Sequence, residues 1–182
     1  LELFDCGYME VICNLCVIVA GVAALDEICD WIAETGASGG GLLGKLIELL
    51  MSYDDELELM SNVCMALWNL ANNEQNRSIV RQYDGVIEKL VQLLDCGMLD
   101  VLEKVTGAIY AQAIDTESAE QMRQLQVIEK LIPLLSSVPD DADAGSGIEL
   151  LVNVSSALAV LTYPEEAKVQ VLEQGGLNSL LY

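Results

Sequence analysis

Apolar side chains recur along this chain at the spacing of a helix, and the same pattern appears three times. Segments that begin at Val63, Val105 and Val154 carry apolar residues at i, i+3, i+4 and i+7, which is one face of an α-helix. The intervals between the three segments are 42 and 49 residues. Gln112 occupies the last place of the middle set, so we expect it at the edge of the buried face. An earlier copy is expected within residues 10–25, where the register stays open.

A second series repeats with nearly the same period. "VIEKLVQLL" (86–94) is followed by "VIEKLIPLL" (127–135); "GLLGKLIELL" (41–50) precedes them, and "GGLNSLL" (175–181) follows. Leucines hold the equivalent place in the four copies at spacings of 44, 41 and 50 residues: Leu46, Leu90, Leu131 and Leu181. Two series that share one period indicate a repeated structural unit.

Short polar segments between these helices carry signals for a helix start. Asparagines within residues 72–85 are cap candidates, and the pairs Ser118/Gln121 and Thr162/Glu165 have the spacing of a capping box. Pro133 lies inside a predicted second helix and should kink or end it. The unit is therefore a short, a medium and a long helix in about 42 residues. No segment shows the alternation of a β-strand.

A three-helix unit of this length is the armadillo arrangement, in which stacked units share one continuous core. The sequence predicts an all-α, right-handed α-solenoid of stacked armadillo repeats. The chain starts at Leu1 without a methionine and stops after an apolar run, so we expect a piece of a longer protein. The predicted units are residues 1–40 (divergent helices and a linker), 41–72, 73–114, 115–162 with a loop insertion at 137–147, and an incomplete 163–182.

Composition and charge narrow the range of possible binding partners. The 182 residues are 53% hydrophobic and carry 8 basic against 29 acidic side chains, a formal net charge of −21. Such a field repels nucleic acid and anionic membranes and attracts a basic protein surface. The alternative is that surplus carboxylates only keep an apolar solenoid soluble. The longest apolar run (15–25) has 11 residues, short of the ~18 of a membrane span, and is predicted to be a buried helix.

The sequence offers no catalytic constellation, cofactor site or metal site, and we predict that the chain is not an enzyme. It contains no histidine, which excludes Ser-His and Cys-His pairs within it. "GGGLLGKL" (39–46) approaches the phosphate-loop pattern but ends in Leu46, where a hydroxyl should stand. Cys13 and Cys16 have C-x-x-C spacing without a second pair, and "DDADAGSG" (140–147) lacks the ligand spacing of a calcium loop.

The long third helices line a concave groove in armadillo stacks, and the stripe next to their buried face supplies the candidate binding residues. An amide in such a groove, above all Asn69, can hydrogen-bond an extended peptide backbone; the alternative is a solvated helix face. Trp68 is either an interface aromatic or packing between repeats. The candidate protein-binding residues are Asn62, Met65, Trp68, Asn69, Asn72, Lys104, Asn153 and Ser156.

Three stretches carry a narrower likeness: "NVCMALWNLANNEQNRSIVR" (62–81), "EKVTGAIYAQAIDTESAEQM" (103–122) and "ELLVNVSSAL" (149–158). In order and spacing they resemble the armadillo-repeat subunits of the outer dynein arm docking complex, the armadillo repeat-containing protein 4 family, over roughly residues 40–182. "VTGAIY" and "LLVNV" are the most specific pieces. The insertion at 137–147 and the N-terminal part depart from the pattern and leave open a sister family of axonemal armadillo proteins.

The resemblance implies a non-enzymatic scaffold of the cytoplasm and the ciliary axoneme that helps to anchor outer dynein arms to doublet microtubules. The implied partners are coiled-coil docking-complex subunits and outer dynein arm components, with tubulin of the doublet as a further candidate, and neither nucleic acid nor a membrane. A second hypothesis is a cytosolic armadillo adaptor that binds a basic peptide or a small GTPase.

Overall fold

The computed structural model describes residues 1–36, 41–138 and 147–173, and within these ranges the chain is helical without a β-strand. Eleven α-helices and two 3₁₀ helices lie in this part of the chain. In chain order they are η1 Glu2–Asp5, α1 Met9–Val22, α2 Asp26–Gly36, α3 Leu42–Ser52, α4 Leu57–Leu70, α5 Glu74–Arg81, α6 Val86–Leu93, α7 Leu99–Ala113, α8 Thr116–Gln124, α9 Val127–Leu131, η2 Ile132–Ser136, α10 Ile148–Leu161 and α11 Glu165–Glu173.

These helices form three successive triplets, α2 to α4, α5 to α7, and α8 to α10 with η2 completing the second helix. Helices that hold the same place in successive triplets pack against each other: the first helices α2 and α5 are in contact, and so are the second helices α3 and α6. The third helices stack most extensively, α1 on α4, α4 on α7 and α7 on α10. The predicted all-α solenoid is confirmed.

One hydrophobic core runs through the stack, because each third helix is apolar towards the shorter helices of its own triplet. In α4 the buried side comprises Leu59, Val63, Leu67 and Leu70, which follow the predicted helical spacing. A continuous cluster of buried apolar residues extends from Phe4 to Ala167. No triplet has a closed core of its own, so neighbouring units stabilise each other.

Some of the predicted helix starts and ends are confirmed, and others are wrong. Pro133 ends the α-helix as expected, since the chain continues from Leu131 as the 3₁₀ helix η2. Ser118 does not start α8; Asp115 is the N-cap and accepts a hydrogen bond from the Ser118 backbone N–H at 2.9 Å. Thr162 ends α10 instead of starting α11, and its hydroxyl donates to the Leu158 carbonyl.

Asn73, one of the predicted asparagine caps, is the N-cap of α5, and its side chain accepts from the Asn76 backbone N–H at 3.0 Å. The fourth leucine-rich copy at 175–181 lies outside the described residues. So does most of the predicted insertion, of which the structure describes the first two residues and Gly147, the N-cap of α10.

A ladder of ion pairs connects the second helices of successive units. Lysines at equivalent places reach back to an aspartate near the end of the preceding second helix, with N–O distances of 2.6, 2.5 and 2.5 Å. The pairs are Lys45–Asp5, Lys89–Asp54 and Lys130–Asp95. The aspartates are exposed, so each pair contributes little to stability and mainly fixes how one unit sits on the next.

In two of the three triplets the residue before the second helix is left-handed, whereas Gly41 before α3 has φ of −79°. Gly85 takes this place before α6 with φ of 84°, and Gln126 takes the matching place before α9 with φ of 57°. A side chain is strained in this region by roughly 1–2 kcal/mol, whereas glycine is not. The strained backbone at Gln126 therefore lowers the stability of the last triplet.

We expect Gln126→Gly to raise the free energy of unfolding by about 0.5–1 kcal/mol, because glycine removes the strain at some cost in chain entropy. The reciprocal Gly85→Gln should lower it by about 1–2 kcal/mol, the more so because a Cβ at Gly85 would lie 3.1 Å from the Met51 methyl carbon. Urea unfolding followed by circular dichroism measures both. Equal shifts of the same sign would contradict the expectation.

The apolar run 15–25 was predicted to be a buried helix, and the structure buries only one side of it. Most of it lies in α1, where Cys16, Val19 and Ala20 are buried and Val17, Ile18 and Val22 are exposed. Among the described helices no single one is long and apolar enough to cross a membrane; α1 and Asp26–Thr35 reach the required length and composition only as a pair bent by 118°.

Candidate protein-binding groove

Seven of the eight candidate residues lie on α4, α7 and α10, in the layer formed by the third helices, and Asn72 lies in the turn that follows α4. Side chains beside the buried face of a third helix point towards a neighbouring third helix, and those opposite the buried face point to solvent. This geometry sorts the predicted residues into two groups.

Two of the predicted amides form hydrogen bonds between neighbouring third helices. Asn69 Nδ2 donates to the Ala20 carbonyl of α1 at 2.8 Å, and Asn153 Nδ2 donates to the Glu103 carbonyl of α7 at 3.0 Å. Asn153 is buried, with 4% of its surface exposed. Both N–H donors therefore satisfy backbone carbonyls of the preceding helix. A role of these amides towards a partner peptide stays a prediction.

Trp68 packs between units, which is one of the two roles considered for it. Its indole is half-buried and lies over Gly107 of α7, so closely that a Cβ on Gly107 would be 2.4 Å from Cε3 and 2.5 Å from Cδ2. Gly107 and Met65 hold equivalent places, 42 residues apart. The missing side chain at Gly107 thus makes room for the tryptophan of the previous unit.

The remaining candidates differ in exposure. Asn62 and Met65 are half-buried on α4, and Ser156 is half-buried on α10. Lys104 is half-buried and paired with Glu103, with Glu149 at 4.0 Å. Asn72 is the one member of the predicted set that is fully exposed. The structure brings the eight residues into one layer, but it does not expose them as one continuous stripe.

Sequence reasoning missed the apolar rim at the C-terminal ends of the third helices. Ile114 and Tyr163 occupy the place of Asn72 in the next two units and are 49% and 86% exposed. Between them lies a groove of about 200 Å³, lined also by Ala119, Val160 and Pro164. Extending the helical stripe by one more turn in each unit would have found this rim.

The opposite ends of the third helices are acidic. Each first turn carries a carboxylate: Glu10 in α1, Glu58 in α4, Asp100 in α7 and Glu149 in α10. Carboxylates at a helix N-terminus are favoured by the helix dipole. The layer therefore has an anionic rim at one end and an apolar rim at the other, which suits a partner with both basic and apolar side chains.

The cysteines are reduced, and four of the six are buried. Burial raises the pKa of Cys16 and of Cys64 to about 12, helped by Cys13 and by Cys96 respectively. The pKa of Cys13 is also raised, first by burial and then by Glu58 and Glu56, against a hydrogen bond from Asn62. Thiols held neutral in this way are poor metal ligands and poor nucleophiles.

We expect alkylation of the folded chain with iodoacetamide at pH 8 to modify Cys6 and Cys96 well before Cys16 and Cys64. The first two are half-buried, whereas a thiol with a pKa of about 12 is ionised to only about one part in ten thousand at that pH. Peptide mass spectrometry after timed quenching gives the order, and a urea-unfolded sample should label all six evenly. Equal native rates for Cys16 and Cys6 would contradict the burial argument.

The lysine and cysteine motifs fall within helices, whereas residues 140–146 of the calcium-loop-like stretch lie outside the described residues. Lys45, which stood in the phosphate-loop-like stretch, lies inside α3 and pairs with Asp5 and Glu48. Across the part of the chain that the structure describes, no three metal-ligating side chains come together. Cys13 and Cys16 lie on α1, and their side chains are buried in the hydrophobic core.

No protein-family model matches the chain. Among curated proteins, outer dynein arm-docking complex subunit 2 of Bos taurus is 29% identical over 100 residues, which is 55% of this chain and 9% of that protein. The chain thus spans less than a tenth of the length of this relative.

Solved structures resemble the whole chain. A designed armadillo repeat protein in complex with the peptide (KR)4 superimposes with a TM-score of 0.75 at 25% identity, over 98% of this chain and 70% of that one. A structure of computationally designed armadillo repeat proteins for modular peptide recognition gives 0.74 at 29% identity, with the same coverage. With the helix triplets described above, these similarities define the class: the chain is an armadillo-like repeat protein, an all-α solenoid.

Proposed function

We propose that this chain is a non-enzymatic protein-interaction scaffold that helps to dock outer dynein arms in the ciliary axoneme. The observation that carries the proposal is the partial similarity to a docking-complex subunit in a chain with an armadillo-like fold. The formal charge of −21 is in keeping with a binding role for basic partners.

The proposed binding surface is the third-helix layer, with its anionic rim and its apolar rim. Its proposed partners are coiled-coil docking-complex subunits and outer dynein arm components, with tubulin of the doublet as a further candidate. Ile114 and Tyr163 join the predicted residues, because their exposed apolar surface offers more to a partner than amides already bonded within the stack.

Crosslinking mass spectrometry on intact isolated axonemes tests the proposal. Lys104, Lys130 and Lys168 are usable attachment points, with 26%, 33% and 50% of their side chains exposed. Lys89 is a poor one, since it is buried and bonded to Asp54. Crosslinks from these lysines to docking coiled coils or dynein-arm subunits support docking. A chain absent from axonemes and recovered in the cytosol with a soluble partner would refute it.

A matched pair of variants places the contact on the third-helix layer. Ile114→Asn removes apolar surface at the C-terminal end of α7, and Met51→Asn removes it on the second helix α3, outside the third-helix layer; the two side chains are 49% and 41% exposed. We expect Ile114→Asn to weaken axonemal binding about tenfold and Met51→Asn to leave it unchanged. Equal effects would move the interface away from the apolar rim.

A second candidate function is a cytosolic adaptor for basic peptides, favoured by the solved (KR)4 complex of a designed relative and by the charge of this chain. Fluorescence anisotropy with a labelled (KR)4 peptide distinguishes it. Tight binding that is lost in Trp68→Ala and Asn69→Ala variants would favour the adaptor. Weak binding that salt abolishes and the two variants do not alter would indicate charge attraction alone.

A further inference from the structure

Arg77 of α5 binds the C-terminal end of the third helix α4. Its Nη1 donates to the carbonyl of Ala71 at 2.6 Å and to the carbonyl of Asn72 at 3.3 Å. Carbonyls at the end of a helix have no partner within the helix, and the helix dipole favours a cation there. In this unit the chain therefore supplies its own guanidinium to the end of a third helix.

The same place in the next unit is held by an alanine. The N-caps of α5 and α8, Asn73 and Asp115, are 42 positions apart and fix the register of the two first helices. In this register Arg77 matches Ala119. Alanine has no donor for the carbonyls at the end of α7, so the guanidinium of the earlier unit has no counterpart here.

The groove beside Ile114 lies in the place that the arginine side chain occupies one unit earlier. Ala113, Ile114 and Ala119 are among its lining residues, and its volume is about 200 Å³. The carbonyls of Ala113 and Ile114 match those that Arg77 binds. The volume equals that of roughly six water molecules, which is enough for a guanidinium and the methylene next to it.

We propose that this groove binds an arginine side chain of a partner protein, in the place that Arg77 holds one unit earlier. The partner's guanidinium donates to the carbonyls of Ala113 and Ile114. Its methylenes lie along Val160 and the ring of Tyr163, whose face also attracts a cation. A forked guanidinium reaches two neighbouring oxygens better than an ammonium does. The assignment rests on the docking function proposed above and names the partner side chain that the apolar rim takes.

Charge permits a further guanidinium in a groove that Arg123 already lines. The Arg123 guanidinium is paired with Glu120, with 2.8 Å between Nη2 and Oε2. The earlier unit holds two arginines in the same arrangement, because Arg81 matches Arg123, pairs with Asp115 at 3.3 Å and lies on α5 with Arg77. The formal charge of −21 attracts a basic partner to the chain as a whole.

The groove lies between two units that the structure describes, and its counterpart one unit earlier indicates that a following repeat leaves this rim open. Ile114 matches Tyr163, 49 positions later. Ile114 stays 49% exposed although α8 to α10 follow it. The exposed wall of the groove is therefore a property of the repeat.

Titration of the isotope-labelled chain with ethylguanidinium chloride, followed by NMR of the backbone amides, is the test. We expect saturable shifts at Ala113, Ile114 and Tyr163, with a Kd of about 1–10 mM for so small a ligand. Ethylammonium chloride at the same concentrations matches the charge and the salt. It should bind at least about tenfold more weakly, because it presents a single point charge to the two carbonyls.

Three variants locate the binding. Ala119→Arg fills the groove from within the chain, as Arg77 does at the matching place, so the chain should stay folded by circular dichroism and lose the saturable shifts. Gln124→Arg adds the same charge at an exposed position of α8 outside the groove, and should leave the titration unchanged. Arg77→Ala should create a second site, with new saturable shifts at Ala71 and Asn72.

A wild-type chain without saturable shifts at Ala113 and Ile114 overturns the proposal. Equal binding of the two cations also overturns it, since charge attraction alone would explain that result, and so do shifts that persist in a folded Ala119→Arg variant. If Ala119→Arg does not fold, Arg77→Ala decides: a second site at Ala71 supports the proposal, and its absence refutes it. These titrations need no axonemal partner. Their failure therefore leaves the docking proposal standing, and a failure of docking in axonemes leaves the affinity of the groove for guanidinium unchanged.

Discussion

Replacing Gly107 with alanine is expected to lower the free energy of unfolding by about 2–3 kcal/mol, although alanine is the better helix former by about 1 kcal/mol. The reason is steric. A Cβ at Gly107 would lie 2.4–2.9 Å from three atoms of the Trp68 ring, and an indole cannot bend away as a flexible side chain does. The ring has to leave its place between α4 and α7, and the contact between two units is lost with it.

Gly21 offers the matched control. It also lies in a third helix, but a Cβ there would meet nothing within 4 Å. Gly21→Ala should therefore be neutral or stabilising by up to about 1 kcal/mol. Urea unfolding by circular dichroism measures both variants.

A Trp31→Phe background adds a local readout, because Trp31 and Trp68 are the two tryptophans of the chain. We expect Gly107→Ala to shift the Trp68 emission to the red in the folded state. Combining Gly107→Ala with Trp68→Leu should recover at least about 1 kcal/mol of the loss. If Gly107→Ala behaves like Gly21→Ala and leaves the emission unchanged, the close packing of Trp68 on α7 is wrong.

Asn76→Asp is expected to lower the free energy of unfolding by about 3–5 kcal/mol at neutral pH. Asn76 is fully buried, and its Nδ2 donates to the carbonyls of Cys29 at 3.1 Å and Leu70 at 3.0 Å. These bonds join α5 to α2 and to the end of α4. A carboxylate would replace the donor with an oxygen that faces two carbonyl oxygens away from water.

The loss of unfolding free energy in Asn76→Asp should depend on pH. Burial and the two carbonyls raise the pKa of the introduced carboxyl above its unfolded value of about 3.9. Between these two pKa values the folded state binds more protons than the unfolded state, so stability falls as the pH rises. The difference from the wild type should therefore be smallest near pH 4 and widen towards pH 8.

Urea titrations at about pH 4.5 and pH 7.5 measure this difference. Asn72→Asp is the control, since Asn72 is exposed and its change should stay within about 0.5 kcal/mol at either pH. A variant Asn76→Asp that matches the wild type at both pH values would contradict the bonding of Asn76.

The candidate site was predictable only in its outline. Helical spacing in the sequence located the third helices and the stripe beside their buried face, so the layer that holds Asn69 and Asn153 was predicted correctly. The direction of each side chain within that stripe was not, because it depends on where the neighbouring third helix lies. Asn69 and Asn153 turned out to bond that neighbour, and the exposed apolar rim at Ile114 and Tyr163 was overlooked.

The helix boundaries were likewise predictable only in part. Pro133 acts on its own backbone, so its effect on the helix was predictable from the residue alone. Ser118 and Thr162 have the spacing of capping residues, but Asp115 is the N-cap of α8 and Thr162 ends α10. Asp115 also forms an ion pair with Arg81 at 3.3 Å, a contact between units that the capping pattern does not encode.

By itself the sequence determined that this protein is a repeated three-helix solenoid, since a period of about 42 residues and a helical pattern of apolar residues are local and redundant signals. Only the tertiary structure decided which sides of those helices meet. Gly107 differs from other helical glycines only because Trp68 of another unit lies over it, and Asn69 is an amide on a helix face until its hydrogen bond to the Ala20 carbonyl is seen. The physical reason is that contacts between units join residues 40 or 50 positions apart, at angles that helical periodicity does not fix.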